Sequence, residues 1–414
     1  MARRLALPMS AVLGSVLALS VSAPGVVGET VDADSAQVAA QVSVAEPAPP
    51  LAVLKFGESS LRFGTLLQPT FDVIQDVNTG GYSQNFYMRR ARFFMLGKLG
   101  RKVGEGVQEL EFFFQVDNAR AGNATPPTGT KNTGTTGFLV QDAYGQWAFG
   151  GNAIALRAGF FFVPAVRQIV TNPSTYLALD IPTWALQQNA ALSGNAGRDY
   201  GFEFNGYLMD DHLVYRVGVF SGNRQASTSQ AAPLGPAACC RNSPRYAGRV
   251  MYDFFDSEKA YVYPGTYRGT KKVVAVGAVV EGQGSYEGYG GDAFVDWPVG
   301  PGAVTFEADY MHYEGRGKAY SAAIPEQETL WMDAGYYLGA LKLQPFARYE
   351  FLNYASAGNA AKEQARVGGG FNYYVMGQTF KITPYYERIL PKGQPATARQ
   401  KDANRFVVQF QAYL

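Results

Sequence analysis

The sequence predicts an all-β fold, a transmembrane antiparallel barrel of about 16 strands over residues 61–414. Three observations support this prediction. Segments of nine to twelve residues alternate apolar with polar side chains, which is the period of a strand. Their length matches the ~9–11 residues that a tilted strand needs to cross a bilayer. The connections between these segments are alternately short and long, as in outer-membrane barrels. The chain also ends within a strand, which suits a sheet that closes on itself.

Composition agrees with a membrane barrel and gives no sign of a nucleic-acid partner. Charged residues make up 17% of the 414 residues, against about 25% in an average soluble domain. The formal net charge is +2, and it falls to zero once residues 1–28, with two arginines and no acidic residue, are set aside. A chain with balanced charge has no general electrostatic attraction for nucleic acid.

Residues 1–28 predict a secretory signal peptide rather than part of the fold. Arg3 and Arg4 form a basic start, a mostly apolar run continues to Val21, and small residues follow. The alternative is a single membrane anchor, for which the apolar run is short. Residues 29–60 are rich in alanine and then in proline, so we expect a periplasmic extension or linker there. An exported barrel is expected in a bacterial outer membrane.

The barrel strands follow one another between clear turn signals. In QELEFFFQVD, residues 108–117, apolar and acidic or amide side chains alternate, and similar patterns recur to the end of the chain. Strands predicted in the first half include Phe86–Lys98, Leu139–Phe149, Ala153–Phe162, Asp199–Leu208 and Leu213–Ser221. The longest predicted loop is Val163–Gly197, the third of the long connections. The glycine-rich run EGQGSYEGYGG, residues 281–291, predicts an outside loop.

The last strand, NRFVVQFQAYL at residues 404–414, bears on how the sheet closes. Its apolar residues share one face and its polar residues the other, with Val407 as an apolar exception on the polar face. An open sheet would leave the edges of its first and last strands unpaired, whereas a barrel pairs them. The stretch Phe406–Leu414 also resembles the signal read by the barrel-assembly machinery, which usually ends in Phe rather than in Leu414.

Several stretches together resemble the phosphate-selective porin O and P family. They are YMRRARFFMLGKL (Tyr87–Leu99), LEFFFQVD (Leu110–Asp117), LRAGFFFVP (Leu156–Pro164), YRVGVFSGN (Tyr215–Asn223) and RYAGRVMYDFF (Arg245–Phe255). The resemblance spans roughly residues 63–414 and rests on order and spacing. It implies a homotrimeric porin of about 16 strands whose third loop folds into the lumen. The family often follows this proline with a glycine and an acidic residue. AVRQIV at 165–170 is more apolar, so we expect different packing of that loop.

Alternation also predicts which charged side chains face the inside of the barrel. A pore selects ions by the charges that line it, and arginine suits phosphate because its fork matches the oxygens of the anion. The predicted pore-lining or anion-path residues are Arg62, Arg90, Arg92, Arg157, Arg167, Arg216, Arg249, Arg348, Lys381 and Arg405. Arg167, in the third loop, is the candidate constriction charge. Arg89 is predicted to point outward near the lipid headgroups, an assignment that a bulge would reverse.

Acidic side chains on the same predicted face allow a second interpretation. They are Glu109, Glu111, Asp142, Glu203, Asp253, Glu307, Asp309 and Glu350. Arginines paired with these carboxylates would form ion pairs along the wall and leave a channel of general diffusion. For Arg167 the alternative is a loop residue packed against the wall.

The sequence offers little for catalysis or for a metal. His212 and His312 belong to no recognisable nucleophile or metal spacing, so we expect no catalytic residue, no cofactor and no metal site. An outer-membrane hydrolase is the enzymatic alternative. Cys239 and Cys240, the two cysteines, are adjacent, and a loop disulfide is the favoured interpretation in an oxidising compartment.

The favoured hypothesis for function is a passive outer-membrane channel for small hydrophilic solutes and ions, with a possible preference for anions or phosphate. Its surroundings would be outer-membrane lipid, and a homotrimer is expected from the family resemblance. One alternative is a structural or adhesive barrel whose lumen is plugged by the apolar third loop. Another is a secreted all-β binding protein.

Overall fold

The computed structural model describes residues 52–57, 59–76, 79–103, 106–118, 138–149, 153–181, 197–222, 243–315, 324–392 and 402–414, all within one compact unit of the chain. The strands are β1 (Ala52–Phe56), β2 (Ser59–Gln75), β3 (Tyr82–Val103), β4 (Gly106–Asn118), β5 (Phe138–Ala148), β6 (Ala155–Phe162), β7 (Arg198–Leu208), β8 (Leu213–Phe220), β9 (Arg245–Asp253), β10 (Val273–Gln283), β11 (Tyr286–Val299), β12 (Gly302–Gly315), β13 (Gln327–Leu338), β14 (Leu343–Tyr354), β15 (Gln364–Gln378), β16 (Phe380–Pro391) and β17 (Ala403–Tyr413). Short 3₁₀ turns lie at Arg167–Val170, Pro173–Thr175, Gly339–Leu341 and Ala357–Lys362.

The sheet closes on itself through its first and last barrel strands. Each strand from β2 to β17 pairs antiparallel with its sequence neighbour, and β17 pairs antiparallel with β2, so 16 of the 17 strands form a ring. Phe406 lies opposite Val73, and the amide of Leu414 donates to the carbonyl of Thr65 over 3.0 Å. The predicted all-β barrel of about 16 strands is confirmed, and the chain ends inside the ladder because β2 provides the partner edge.

The start of the barrel differs slightly from the sequence-based boundary at residue 61. β2 begins at Ser59, and the short strand β1 lies within the predicted linker. β1 pairs with the first residues of β2, with Ala52 opposite Phe63, along the stretch of β2 that precedes its pairing with β17. The predicted signal peptide and most of the predicted extension lie outside the described residues.

The two faces of the wall differ sharply in polarity. On β7, Tyr200, Phe202 and Phe204 lie on the exposed face, whereas Glu203 and Asn205 are buried on the other. A barrel that is apolar outside and polar inside has the reverse of the usual soluble pattern, which suits a wall surrounded by lipid. On β17, Phe406 and Phe410 lie outside, as the alternation predicts.

A bulge in β3 changes the predicted orientation of one arginine. Pro69 lies opposite Met88 and Leu67 opposite Ala91, so the single residue Gln68 faces two residues of β3, Arg89 and Arg90. An extra residue in one strand puts consecutive side chains out of the simple alternation. Both arginines are buried. The prediction that Arg89 points outward to the headgroups is therefore wrong.

Connections on one side of the barrel are short, with one exception. Residues 209–212 join β7 to β8, 300–301 join β11 to β12, and 339–342 join β13 to β14. The connection from β9 to β10 lies on the same side but runs from Phe254 to Lys272. On the other side, β10 and β11 form a tight hairpin around Gly284, whose φ is +60°. The predicted outside loop at 281–291 is therefore wrong, since most of it is strand.

No helix among the described ranges has the length and apolar character required to cross a membrane.

Candidate functional site in the barrel lumen

The segment Val163–Ile181, here called the loop segment, follows β6 and is buried along most of its length. Its backbone bonds to charged residues of distant strands. The amide of Arg167 donates to the carboxylate of Asp292 on β11 over 3.1 Å, and the amide of Gln168 donates to Asp309 on β12 over 3.1 Å. Buried amides need acceptors, and the wall carboxylates supply them.

The later part of the loop segment bonds to the strands near the barrel closure. Asn372 on β15 donates to the carbonyl of Leu177 over 2.7 Å, and the ammonium of Lys381 on β16 donates to the carbonyl of Tyr176 over 3.1 Å. Gln411 on β17 reaches the carbonyl of Ser174 at 2.9 Å. The loop segment therefore contacts the buried face of the wall from β9 through β17.

Asp180 attaches the loop segment to the bulge of β3. Its carboxylate accepts from the guanidinium of Arg89 and, over 2.5 Å, from that of Arg90, while its carbonyl accepts from Arg348 over 2.5 Å. Burial alone would raise the pKa of Asp180, but the positive charges of Arg89 and Arg90 outweigh it and hold the pKa well below its usual range. The carboxylate of Asp180 is therefore ionised. The bulge brings Arg89 and Arg90 to the same side of β3, where both pair with this one carboxylate.

An apolar cluster explains the exception in the last strand. Leu177, Ala178 and Leu179 of the loop segment pack in one buried cluster with Phe346, Tyr385 and Val407. Val407 is fully buried, although it lies on the face that carries the polar residues of β17. Its apolar character is explained by the loop segment that covers it rather than by lipid.

The connection Phe254–Lys272, here called the strap, pairs with the loop segment. Tyr263 forms a parallel bridge with Thr171, and its amide donates to the carbonyl of Val170 over 2.9 Å. The amide of Asn172 donates to the carbonyl of Tyr263 over 2.8 Å. Two connections that begin at opposite ends of the barrel therefore bond to each other.

Arg167 joins these two connections by a fully buried ion pair. Its two terminal nitrogens bond to the carboxylate of Glu258 at 2.5 and 2.7 Å, and its guanidinium lies 3.6 Å from the ring centroid of Phe294. Burial alone would lower the pKa of Arg167, but Glu258 outweighs it and raises the pKa above its usual value. The expectation that Arg167 faces a water-filled constriction does not match an exposure of 0%.

Most of the other predicted pore-lining arginines are buried in ion pairs with wall carboxylates. Arg157 and Arg216 both bond to Glu203, with nitrogen–oxygen distances of 2.7 and 3.0 Å. The further pairs are Arg92 with Asp117, Arg249 with Asp292, Arg348 with Asp333, and Arg405 with Asp72 and Glu387. These charges lie on the inner face, but each is met by an opposite charge.

Arg62 and Lys381 differ from this group. Arg62 is exposed near the start of β2, away from the buried cluster. Lys381 is buried, and its ammonium donates to a carbonyl rather than to a carboxylate.

Alternation missed several residues of the buried network. Arg198 bonds to Asp142 at 3.0 Å and lies 3.6 Å from the ring centroid of Phe162, and Arg245 pairs with Glu281. Arg198 follows the long third connection and Arg245 the fourth, and both begin their strands. Strand starts are the least certain part of an alternation pattern, which is why these two were overlooked.

The described residues hold no group of three or more His, Cys, Asp and Glu side chains able to bind a metal ion. Cys239 and Cys240, the predicted disulfide, lie outside the described residues.

Comparison with known proteins finds a match to one family model and a fold shared with solved structures. Residues 65–237 match the family model described as phosphate-selective porin O and P. A protein of Aquifex aeolicus (strain VF5), itself described as uncharacterized, is 22% identical over 351 residues, which are 78% of this chain and 80% of that protein.

Three solved structures share the architecture. The anion-selective porin from Comamonas acidovorans aligns with a TM-score of 0.58 at 12% identity, over 86% of this chain and 100% of that chain. Salmonella typhi OmpF in complex with daunomycin gives 0.54 at 10%, over 87% and 100%. The outer membrane channel DcaP of Acinetobacter baumannii gives 0.52 at 13%, over 88% and 100%. At these identities the likeness concerns the fold alone. The match over residues 65–237 confirms the resemblance to the phosphate-selective porin O and P family, and the closed barrel has the fold of outer-membrane porins.

Proposed function

We propose that the protein is an outer-membrane porin, a channel for passive diffusion of small hydrophilic solutes and ions. The observation that carries this proposal is the closed ring of 16 strands with an apolar outer face and a charged inner face. The family match and the shared fold support it. A channel of this kind needs no chemical step, so we propose that the protein is not an enzyme and uses no cofactor.

Liposome swelling tests passive diffusion directly. Vesicles that contain the purified protein are diluted into iso-osmotic solutions of sugars or amino acids of increasing size. We expect swelling that slows as the solute grows, because the loop segment narrows the lumen. Vesicles that do not swell with any solute, from a sample whose barrel still shows heat-modifiable migration on a gel, would contradict the proposal.

We propose a preference for anions as a finer property of the same channel. Inward arginines support it, together with the fold shared with the anion-selective porin from Comamonas acidovorans. The carboxylate partners of most of these arginines weaken the field that a permeating anion meets. Arg90, Arg92, Arg157, Arg216, Arg249, Arg348, Lys381 and Arg405 are the proposed lining charges. We expect the preference to be modest, and Lys381 is the lining cation chosen for the test because its ammonium donates to a carbonyl rather than to a carboxylate.

The reversal potential under a salt gradient tests this preference. We expect a potential on the anion side for the wild type and a shift toward zero for Lys381→Gln. Arg388→Gln is the matched control, because Arg388 is exposed and pairs with Asp402 near the mouth of the barrel. A wild-type potential on the cation side, without block by added phosphate, would contradict the anion proposal and leave a general porin.

We also propose how the protein is exported, assembled in the membrane and oligomerised. Residues 1–28 act as a signal peptide, residues 29–60 as a periplasmic extension and residues 61–414 as the barrel in the bacterial outer membrane. Phe406–Leu414 guides the chain to the barrel-assembly machinery, and the mature protein is a homotrimer. Cleavage at the end of the signal, followed by cross-linking in native membranes, tests the first and last of these proposals.

A plugged barrel with a structural or adhesive role is the second candidate. The observation that favours it is that Glu203 on the wall and Arg167 in the loop segment are both 0% exposed. The strap and the loop segment leave these two side chains no contact with water. Swelling and conductance distinguish this candidate from a porin.

A further inference from the structure

The strap, residues 254–272, is long, whereas the other connections on the same side of the barrel are short. Examples of these much shorter connections are 209–212, 300–301 and 339–342. The ladder between β9 and β10 even continues past both strands, since the amide of Asp256 donates to the carbonyl of Lys272 over 3.0 Å. A two-residue turn would close this hairpin. The inserted residues are therefore not needed to connect the two strands.

The strap crosses the barrel from one wall to the opposite wall. The hydroxyl of Tyr261 donates to Asp142 on β5 over 2.9 Å. Further along, the guanidinium of Arg268 lies 5.5 Å from the ring centroid of Tyr337 on β13 and 4.8 Å from that of Tyr374 on β15. β5 and β13 are eight strands apart in a ring of 16, so they are diametrically opposed.

The strap and the loop segment are closely fitted to each other. Beyond the parallel bridge at Tyr263, the amide of Gly265 donates to the hydroxyl of Thr175 over 3.0 Å. A Cβ at Gly265 would lie 2.8 Å from the carbonyl oxygen of Thr175 and 3.1 Å from the Cα of Tyr176, so a larger residue would force the two backbones apart.

The ion pair between Arg167 and Glu258 lies in this contact. Glu258 also accepts from the hydroxyl of Tyr267 over 2.6 Å, and the amide of Glu258 donates to Asp253 over 2.9 Å. Removing one partner of a buried ion pair strongly destabilises the fold, because the remaining charge stays uncompensated. The pair therefore holds the two connections together as a latch.

We infer that the strap is a second constriction element, entering the lumen from the end opposite the loop segment and latched to it by Arg167 and Glu258. This inference rests on the proposed porin function and extends it. The loop segment contacts the wall from β9 to β17 and the bulge of β3. The strap contacts the remaining side, where the hydroxyl of Tyr261 bonds to Asp142 on β5 and to the amide of Phe162 on β6. The strap thus limits the size of solutes and the conductance of the barrel.

Shortening the strap tests this inference. In the variant, Asn-Gly replaces Ser257–Lys271 and closes the hairpin after Asp256. We expect the single-channel conductance to rise at least about twofold and larger sugars to enter liposomes, because the strap no longer obstructs the lumen. The matched control removes Gly358–Ala361 from the connection between β14 and β15, and it should conduct like the wild type. Heat-modifiable migration checks that each barrel is closed.

Each pattern of conductance decides a point. Equal conductance of wild type and shortened variant would overturn the strap inference and leave the porin proposal standing. A silent wild type with a conducting variant would support the strap as the obstruction. Silence of both, with closed barrels, would overturn the strap inference and contradict the porin proposal as well.

Point variants keep the inference testable if the shortened chain does not form a barrel. Glu258→Gln removes the carboxylate that neutralises Arg167, so we expect more frequent conductance fluctuations and a reversal potential shifted toward anions. Arg167→Gln should shift it toward cations, and the double variant should return close to the wild-type potential. Glu287→Gln, an exposed residue of β11, is the charge-matched control. Single variants that match this control in both readouts would overturn the latch and the strap's role.

Discussion

At the scale of single residues, the charges of the lumen are arranged in pairs rather than as a free positive lining. Arg157 and Arg216 share Glu203, and Arg249 bonds to Asp292. Alternation predicted that these arginines face inward, because side-chain direction in a strand is local. It could not predict their partners, because partners come from neighbouring strands and from loops. The bulge at Arg89 was also beyond alternation, since one extra residue has no sequence signature here.

The contact of Asp180 with Arg89 and Arg90 should be the most sensitive ionic contact of the loop segment. Asp180→Asn removes the negative charge and leaves two buried arginines uncompensated, so we expect a loss of about 3 kcal/mol in the free energy of unfolding. Urea unfolding of the folded barrel in detergent measures it. Asp402→Asn breaks the exposed pair with Arg388 and should cost less than about 1 kcal/mol. If the two substitutions lowered the free energy of unfolding equally, burial would not be what makes the Asp180 contact strong.

The same carboxylate gives an expectation for acid. Because Arg89 and Arg90 hold the folded-state pKa of Asp180 below its unfolded value, the stabilisation is present above the unfolded value and is lost as pH falls through the folded value. The difference in stability between wild type and Asp180→Asn should therefore be the same at about pH 7 and about pH 5. If the difference in stability between wild type and Asp180→Asn is already smaller at about pH 5 than at about pH 7, the ion pair is weaker than its geometry implies.

At the scale of elements, the strands were predictable and the two lumen connections were not. Segments such as Leu213–Ser221 carry their own pattern, so β8 is recovered almost residue for residue. The strap has no strand period, and it was overlooked between the strands on either side. Its signal, in retrospect, is the length from Phe254 to Lys272 on the side of short turns. Val407 was noticed as an exception, but its explanation needed the loop segment that covers it.

The last strand should be needed for closure. Removing Gln411–Leu414 eliminates the pairing of Tyr413 with Leu66 and both backbone bonds between Leu414 and Thr65. We expect a barrel that no longer migrates as a compact, heat-modifiable species, because β2 loses part of its partner edge. Removal of Glu46–Pro49 from the predicted extension is the size-matched control. A truncated chain that still closes would show that the terminal residues contribute little to the seam.

At the scale of the whole molecule, the barrel and its contents act in opposite directions. The ring of 16 strands has an apolar outer face and a polar inner face, while the loop segment and the strap bond to buried residues of its wall. On the proposed function, the balance between them sets whether small solutes pass. Composition and alternation predicted the first half of this description. The second depends on contacts between residues that are far apart in the sequence, such as Arg167 and Glu258.

Single-channel recording of the purified wild-type protein in a planar bilayer tests the central claim most directly. We expect discrete, ohmic conductance steps, because a fixed polar passage conducts small ions at either polarity. A bilayer that stays silent, with protein from the same sample migrating as a closed barrel, would contradict the claim that this protein is a channel.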